Sequence, residues 1–379
     1  MKILELCHFS SGGGGVWARA REESVRLAER EHEVLVLSSN HVKGENKIAP
    51  EFETIKKVKI MRFPAKKLGG ESFLYWNFEK QALKFSPDVI ITHNYRQLNT
   101  TKALKIARIL RKQGKKCKVL LVTHAPFVED NITRSFLQKI IVGFYDKLIG
   151  PRTINKFDYI LPISHWEIPY LLKLGAKQDK IIYIPNGIPE EFFTNKETKQ
   201  EHKIIFLGRI SPKKKLETLI SAIPHIQDKN IKIELIGPKE PEYFNELQTL
   251  IIELKVANRI TFSEPIYNLN EKIKKLDSAK IFVLPSRVEG MPQSLIEAMS
   301  RKKIVIGSNS IAIRDLIKNN QNGFLFEFDN PKDLAEKINF ALDKKNKKTV
   351  NKIRENALKS VKKFSWRVVI GQIERLIRK

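Results

Sequence analysis

Short runs of β-branched and aliphatic residues alternate along this chain with longer stretches whose apolar positions recur at helical spacing. That alternation is the pattern of parallel sheets joined by crossover helices. In the first half it predicts strands over 2–6, 33–37, 58–63, 89–92, 118–122, 159–162 and 181–184. Helices are expected over 16–30, 73–85, 100–113 and 134–156. In 19–30 the apolar Val25, Leu27 and Ala28 stand among charges, so one face is expected to pack and the other to be solvated. A second series follows, with strands over 203–207, 231–236, 260–262, 281–284, 304–307 and 323–326, and a final helix that includes Trp366, Val369, Ile373 and Leu376.

The texture changes between the two series. Residues 186–202 hold Pro189, acidic residues and a polar run without apolar periodicity, which reads as a linker. Two doubly wound α/β domains of similar size are therefore expected, over 1–185 and 203–350, with a ligand cleft at their strand ends. The chain of 379 residues is long enough for two domains, and its 42% apolar content excludes disorder and a disulfide-stapled mini-scaffold. Cys7 and Cys117 make neither a disulfide framework nor a metal-ligand spacing. No apolar run approaches a membrane span, and the first residues lack the features of a signal peptide, so a cytoplasmic protein is expected. The net charge of +27, from 69 Lys and Arg against 42 Asp and Glu, admits phosphate ligands, nucleic acid or an anionic membrane and does not choose among them.

Four features could carry chemistry. The run Ser10–Gly15 lies between the first strand and the first helix, where glycines let backbone N–H groups approach a phosphate at a helix N-terminus. It also fits the dinucleotide spacing as Gly13, Gly15 and Ala18, but the second strand ends VLVLSSN, without the acid that would hold a ribose of NAD. A tight turn without ligand would carry the same glycines. Gly208-Arg209, followed by Lys213, Lys214 and Lys215, combines a planar fork of donors with point charges suited to a diphosphate. Glu289-Gly290-Met291-Pro292, with Glu297 eight positions after Glu289, places two carboxylates about a helix start. Carboxylates suit sugar hydroxyls and amides suit phosphates, and a nucleotide-sugar has both groups. His124 ends a strand, where it could hold a hydroxyl or carry a proton, or be a satisfied loop-end histidine. Asn186-Gly187 reads as a structural turn.

With these motifs in order, the chain resembles the retaining glycosyltransferases of family 4, with the GT-B architecture of two Rossmann-like domains facing across a cleft. The resemblance runs from Gly14-Gly15 and His32-Glu33-Val34 through His124, Ile184–Ile188 and Gly208–Lys214 to Glu289, Glu297 and Phe364–Trp366. It implies transfer of a hexosyl unit, with retention, from a UDP- or GDP-sugar to a glycan or lipid-linked acceptor, with no cofactor and no metal. Arg209 and Lys214 would grip the diphosphate beside Gly208. Glu289 would touch the transferred sugar, with the amides of Gly290 and Met291 nearby, Glu297 would bind the ribose, and His124 would lie beside the sugar. Gly14 and Gly15 would border the phosphates or acceptor, and the helix over 364–379 would cross back onto the first domain.

This sequence departs from the family pattern in places. Lys215 stands where a glycine is usual, which is expected to add charge beside the diphosphate, and Trp17 stands where a polar residue is common. No D-x-D motif, the metal-binding signature of the other main glycosyltransferase fold, occurs in the chain. The alternatives are a nucleotide-sugar epimerase of the same architecture, a basic nucleic-acid-binding protein and an NAD-dependent oxidoreductase. Against nucleic acid, no aromatic RNA-binding signature interleaves with the cations. Over 134–152, Phe136, Leu137, Ile140, Ile141, Phe144 and Leu148 alternate with Arg134, Lys139, Lys147 and Arg152, a spacing that fits either core packing or peripheral docking on an anionic membrane.

Overall fold

A computed structural model describes residues 1–68, 74–127, 136–194 and 201–379, with the side chains of 136–138 excepted. Residues 195–200 of the expected linker, and Arg134 and the side chains of Phe136 and Leu137 in the basic-apolar segment, lie outside the described residues. The chain divides into two compact units: Met1–Gly187 with Arg367–Lys379, and Ile188–Trp366.

Unit 1 is built on a seven-stranded sheet. Its strands are β1 (Lys2–Phe9), β2 (Glu33–Ser39), β3 (Phe52–Ile55), β4 (Val58–Phe63), and, after a separate antiparallel pair β5 (Ala65–Lys67) and β6 (Leu74–Trp76), β7 (Val89–His93), β8 (Lys118–Val122) and β9 (Tyr159–Leu161). The order is β3-β4-β2-β1-β7-β8-β9, parallel except where β3 pairs antiparallel with β4. Strands covered on both faces must be apolar almost throughout, as β8 is after Lys118. Two strands depart from this: Glu5 of β1 sits fully buried at the sheet's centre, opposite Ile91 of β7, and β7 ends in buried Thr92 and His93.

Two expectations for unit 1 need correcting, and two strands were not expected. The stretch over 73–85 is not one helix. Leu74 and Trp76 are buried and Tyr75 exposed, a period of two, so β6 precedes a helix over Glu79–Phe85. β3 and β5 carry too little apolar patterning to be seen in advance; the residues of β3 are exposed or half-buried. The strand expected over 181–184 pairs with β9 by a single bridge, Ile160 to Ile181. Beyond it the chain runs to Pro185, which cannot donate to a ladder. The last helix, Trp366–Arg378, belongs to unit 1 from Arg367 on, where Glu374 bonds Arg30 and lies 3.2 Å from His32 Nε2. Lys118 Nζ donates to the carbonyl of Ile377 at 3.0 Å.

Unit 2 holds a six-stranded, wholly parallel sheet in the order β12-β11-β10-β13-β14-β15. The strands are β10 (Lys203–Leu207), β11 (Lys232–Ile236), β12 (Ile260–Ser263), β13 (Ile281–Leu284), β14 (Ile304–Ser308) and β15 (Phe324–Phe326). Strand order reverses beside β10, so the loops after β10 and β13 diverge there and leave room for a ligand. The segment Glu190–Phe193 is tied to this unit by Arg301. Its guanidinium pairs with both oxygens of Asp277, at 2.8 and 2.6 Å, and donates to the carbonyls of Phe192 (3.2 Å) and Thr194 (2.5 Å). Among the described residues, no helix is long and apolar enough to cross a membrane.

Candidate active site

At the switch point of unit 2, Gly208 continues β10 and Arg209 follows it, exposed. The turn is seated on the loop after β11: Gly208 N–H donates to Ile236 O at 3.0 Å and Ile210 N–H to Pro238 O at 2.8 Å. Gly237, not Gly208, makes this possible. A Cβ on Gly237 would lie 2.0 Å from the Gly208 carbonyl oxygen, and its φ is +146°. The chain then forms a short turn over Pro212–Lys214.

That turn meets the loop after β13, 75 residues away in sequence. Arg287 N–H donates to Lys213 O at 3.0 Å, and Lys214 Nζ donates to Glu289 Oε1 at 2.6 Å. The two motifs read separately from the sequence are thus one constellation: a cation and a carboxylate in contact, both partly exposed, with Arg209 on the neighbouring loop. Gly290 and Met291 then lead into the helix Gln293–Ser300, whose start follows Pro292 by one residue and has no side-chain cap. A helix start without a cap leaves amides for an anion.

Glu297 lies in that helix and is buried, but it does not stand alone. Lys272, in the helix Leu269–Ser278, donates to its Oε1 at 2.7 Å. Nothing in the sequence set Lys272 apart from the other lysines. Lys215 corrects an expectation as well. It adopts the left-handed backbone conformation, φ +53°, which accounts for the preference for glycine there. Its amine pairs with Glu217 Oε1 (3.1 Å) and Asp329 Oδ2 (3.0 Å), so its charge is neutralised locally.

In unit 1 the glycine run is anchored from below by a buried arginine. Arg62 Nε donates to Ser10 Oγ at 2.7 Å and Nη2 to Ser10 O at 3.0 Å. Gly12 is the residue that must be glycine: φ is +82°, and a Cβ would meet the Lys43 carbonyl at 2.5 Å. Gly13 and Gly15 are exposed and open, and Gly14 precedes the helix Gly15–Glu29 with Lys43 Nζ beside it, 3.0 Å from where a Cβ would stand. Ser38 and Ser39, which end β2, are buried and bonded to Ser10 Oγ (2.6 Å) and His8 O (2.5 Å). They leave no place for the acid of an NAD site.

His124, partly exposed, follows β8 with φ +58°, and Ala125 with +55°. Two successive non-glycine residues in that region cost on the order of 1 kcal/mol or more each, so something must hold them. Glu167 does. Fully buried, it accepts from Thr123 Oγ1 (2.5 Å), Ala125 N (2.7 Å), Ile163 N (2.7 Å) and Ser164 N (3.1 Å). Burial pushes its carboxyl up to about 7, against the opposing pull of these four donors.

Behind His124 lies a polar cluster that the sequence reading missed. His93 Nδ1 is 2.7 Å from His124 Nε2, and His93 Nε2 is hydrogen-bonded to Glu5. Beside them Arg19 Nε donates to Glu23 Oε2 at 3.1 Å, with both side chains sealed from solvent. Arg19 Nη1 also donates to Ile184 O, Pro185 O and Asn186 Oδ1 at 3.2, 2.9 and 3.0 Å, so Asn186 has the structural place expected of it. Burial lowers the pKa of His93 to about 4 and pushes His124 well below the ordinary range. The available signal was Glu5 itself, a lone charge inside an apolar strand. Among the described residues, no group of three His, Cys, Asp or Glu is arranged to hold a metal.

With this geometry in place, comparison decides the family. Residues 13–192 match the description Glycosyltransferase Family 4, and residues 187–360 match Glycosyl transferases group 1. The chain belongs to the family 4, group 1 glycosyltransferases. It is 25% identical over 373 residues to an N-acetylgalactosaminyltransferase of Campylobacter jejuni, named for a diNAcBac-PP-undecaprenol-linked acceptor, covering 94% of this chain and 93% of that one. An uncharacterized glycosyltransferase of Methanocaldococcus jannaschii is 24% identical, with 97% and 95% covered. Among solved structures, Anabaena HepE in complex with UDP and glucose superposes with a TM-score of 0.72 at 18% identity, over 100% of this chain and 99% of that one. Sucrose-phosphate synthase of Thermosynechococcus elongatus gives 0.75 at 18% identity, covering 100% and 97%. The fold of this glycosyltransferase is GT-B.

Proposed function

We propose that this glycosyltransferase moves a hexosyl unit, with retention and without a metal, from a UDP- or GDP-linked sugar to a glycan or lipid-linked acceptor. The observation that carries this reading is the Lys214–Glu289 contact, which puts a phosphate-seeking cation and a hydroxyl-seeking carboxylate side by side. As the glycosidic bond breaks, negative charge grows on the leaving phosphate. Arg209, Lys214 and the start of the helix Gln293–Ser300 take up that charge, electrostatic stabilisation being often the largest catalytic contribution. Glu289 holds the sugar, with the amides of Gly290 and Met291 nearby. Glu297, hydrogen-bonded by Lys272, accepts from the ribose hydroxyls. In unit 1, His124 meets the transferred sugar, and Gly14 and Gly15 border the phosphates or acceptor.

The leaving phosphate takes the acceptor proton, with attack on the same face. The Anabaena neighbour, which holds UDP, supports the donor class, and the undecaprenol-linked substrate in the Campylobacter relative's name supports the acceptor class. The test is a thermal-shift screen of UDP- and GDP-sugars, since a ligand of the native state raises Tm. Product analysis with and without EDTA follows. No shift with any of them rejects the donor reading; donor consumption without acceptor would point to an epimerase.

In the same reading the protein works on the cytoplasmic face of the membrane. Ile140, Ile141, Phe144 and Leu148 are 52%, 64%, 58% and 40% exposed, so these residues do not serve the core. Lys139, Lys147 and Arg152 are exposed among them, as peripheral docking on anionic lipid requires. Flotation with anionic but not neutral liposomes is expected, and failure to float removes this part of the reading.

A further inference from the structure

The cluster behind His124 mixes buried carboxyls with cations and a second imidazole. Glu5 and Cys7 come from β1, Arg19 and Glu23 from the helix Gly15–Glu29, Lys43 from the loop after β2, Arg62 from β4, and His93 from β7. Arg19 is the cation seated among the carboxyls, and it is bonded directly to Glu23. Glu5 has no such partner. Its Oε1 faces His93 Nε2, and its buried Oε2 meets no donor among the described residues. An ionised carboxylate would leave charge on that orphan oxygen in a sealed site, whereas a carboxylic acid leaves only a carbonyl, a much smaller desolvation penalty. Burial accordingly raises Glu5 well above the ordinary carboxylate range, with Arg19 opposing. The proton therefore sits on Glu5 Oε1 and is donated to His93 Nε2.

The rest follows from imidazole chemistry, because a neutral ring has one donor and one acceptor nitrogen. With Nε2 accepting, His93 carries its proton on Nδ1 and donates it to His124 Nε2, 2.7 Å away. His124 must then carry its own proton on Nδ1, which bonds to no described residue. An ionised Glu5 would reverse every link and leave His124 Nδ1 a bare lone pair. We propose that Glu5 and His93 are positioning residues that lock His124 in its Nδ1–H form, so that it offers the transferred sugar a hydrogen-bond donor. The sugar contact rests on the function proposed above; the tautomer does not.

The test is nitrogen-15 NMR of the full chain labelled at histidine, without ligand, with His93→Asn and His124→Asn identifying the signals. Pyrrole-type Nδ1 and pyridine-type Nε2 in both rings are expected; a proton on His124 Nε2 overturns the proposal. Glu5→Gln, whose amide can still donate to His93, keeps both tautomers and changes the transfer rate little. Glu5→Met gives His93 Nε2 no proton to accept, so the His93–His124 pair becomes a mixture of both tautomers and kcat falls severalfold as the His124 donor is only partly populated, with little change in donor KM. A folded Glu5→Met variant with the wild-type tautomer would also overturn the relay. Full transfer by His124→Ala would reject the sugar contact while the tautomer assignment stands on its spectrum.

Discussion

The two units handle charge in opposite ways. In unit 1, Glu5, Arg19, Glu23 and His93 are sealed from solvent beneath one partly exposed histidine. In unit 2, Lys214 and Glu289 keep 21% and 12% of their side chains exposed, and Arg209 is open. A buried network cannot exchange partners without leaving an uncompensated group, so it orients what stands above it. A partly solvated pair can be shared with an incoming phosphate at small cost. The first arrangement suits precision and the second suits ligand turnover.

The sharpest way to break this contrast is Arg19→Met. It leaves Glu23 buried without its cation and removes three bonds from 184–186, so a loss of about 3–5 kcal/mol is expected. Urea unfolding followed by fluorescence reads it, since Trp17, Trp76 and Trp166 lie in unit 1. Lys214→Ala should instead leave the unfolding midpoint unchanged and lower kcat/KM about 10²–10³-fold, the worth of one charge-stabilising donor. A large stability loss there, or near-normal transfer, would erase the distinction between the units.

Acid gives a third measure. His93 is held neutral down to about 4 in the folded chain, while the unfolded chain takes up this proton near 6.5. The unfolded state thus binds more protons in that window, and stability falls as pH drops through it. Comparing the wild type with His93→Asn isolates this residue from the carboxyls around it. The difference in stability between them should shrink by on the order of 3 kcal/mol from pH 7 to pH 4. The smallest effect belongs to Lys215→Gly. Relief of a left-handed backbone gains about 1 kcal/mol and loses two partly exposed ion pairs worth a similar amount. Stability and donor KM should both stay close to wild type; a markedly weaker donor KM would restore Lys215 to the phosphate site.

Much of the candidate site in unit 2 was legible in advance. Gly208-Arg209, Lys214, Glu289 and Glu297 are unusual residue types at fixed spacing beside strand ends, and spacing is visible in a sequence. What was hidden was hidden for physical reasons. Gly237 looked like any loop glycine, because its necessity comes from another loop's carbonyl 2.0 Å from the Cβ it lacks. Lys272 was one lysine among many until the fold set it against Glu297. Glu167 reads as an ordinary surface acid, yet four donors from two loops converge on it. β6 was mistaken for the start of a helix because three residues are too few to show a period.

The sequence by itself determined two α/β units, the order of their strands' motifs and the class of chemistry, because periodicity and motif spacing are local properties written along the chain. Only the tertiary structure decided which charges are sealed and which are offered. Glu5, His93 and His124 lie on β1, on β7 and just past β8, separated by 88 and 31 residues. The sheet's strand order, and no pattern in the chain, brings them into one hydrogen-bonded line, since long-range register sets which neighbours a buried polar group must satisfy.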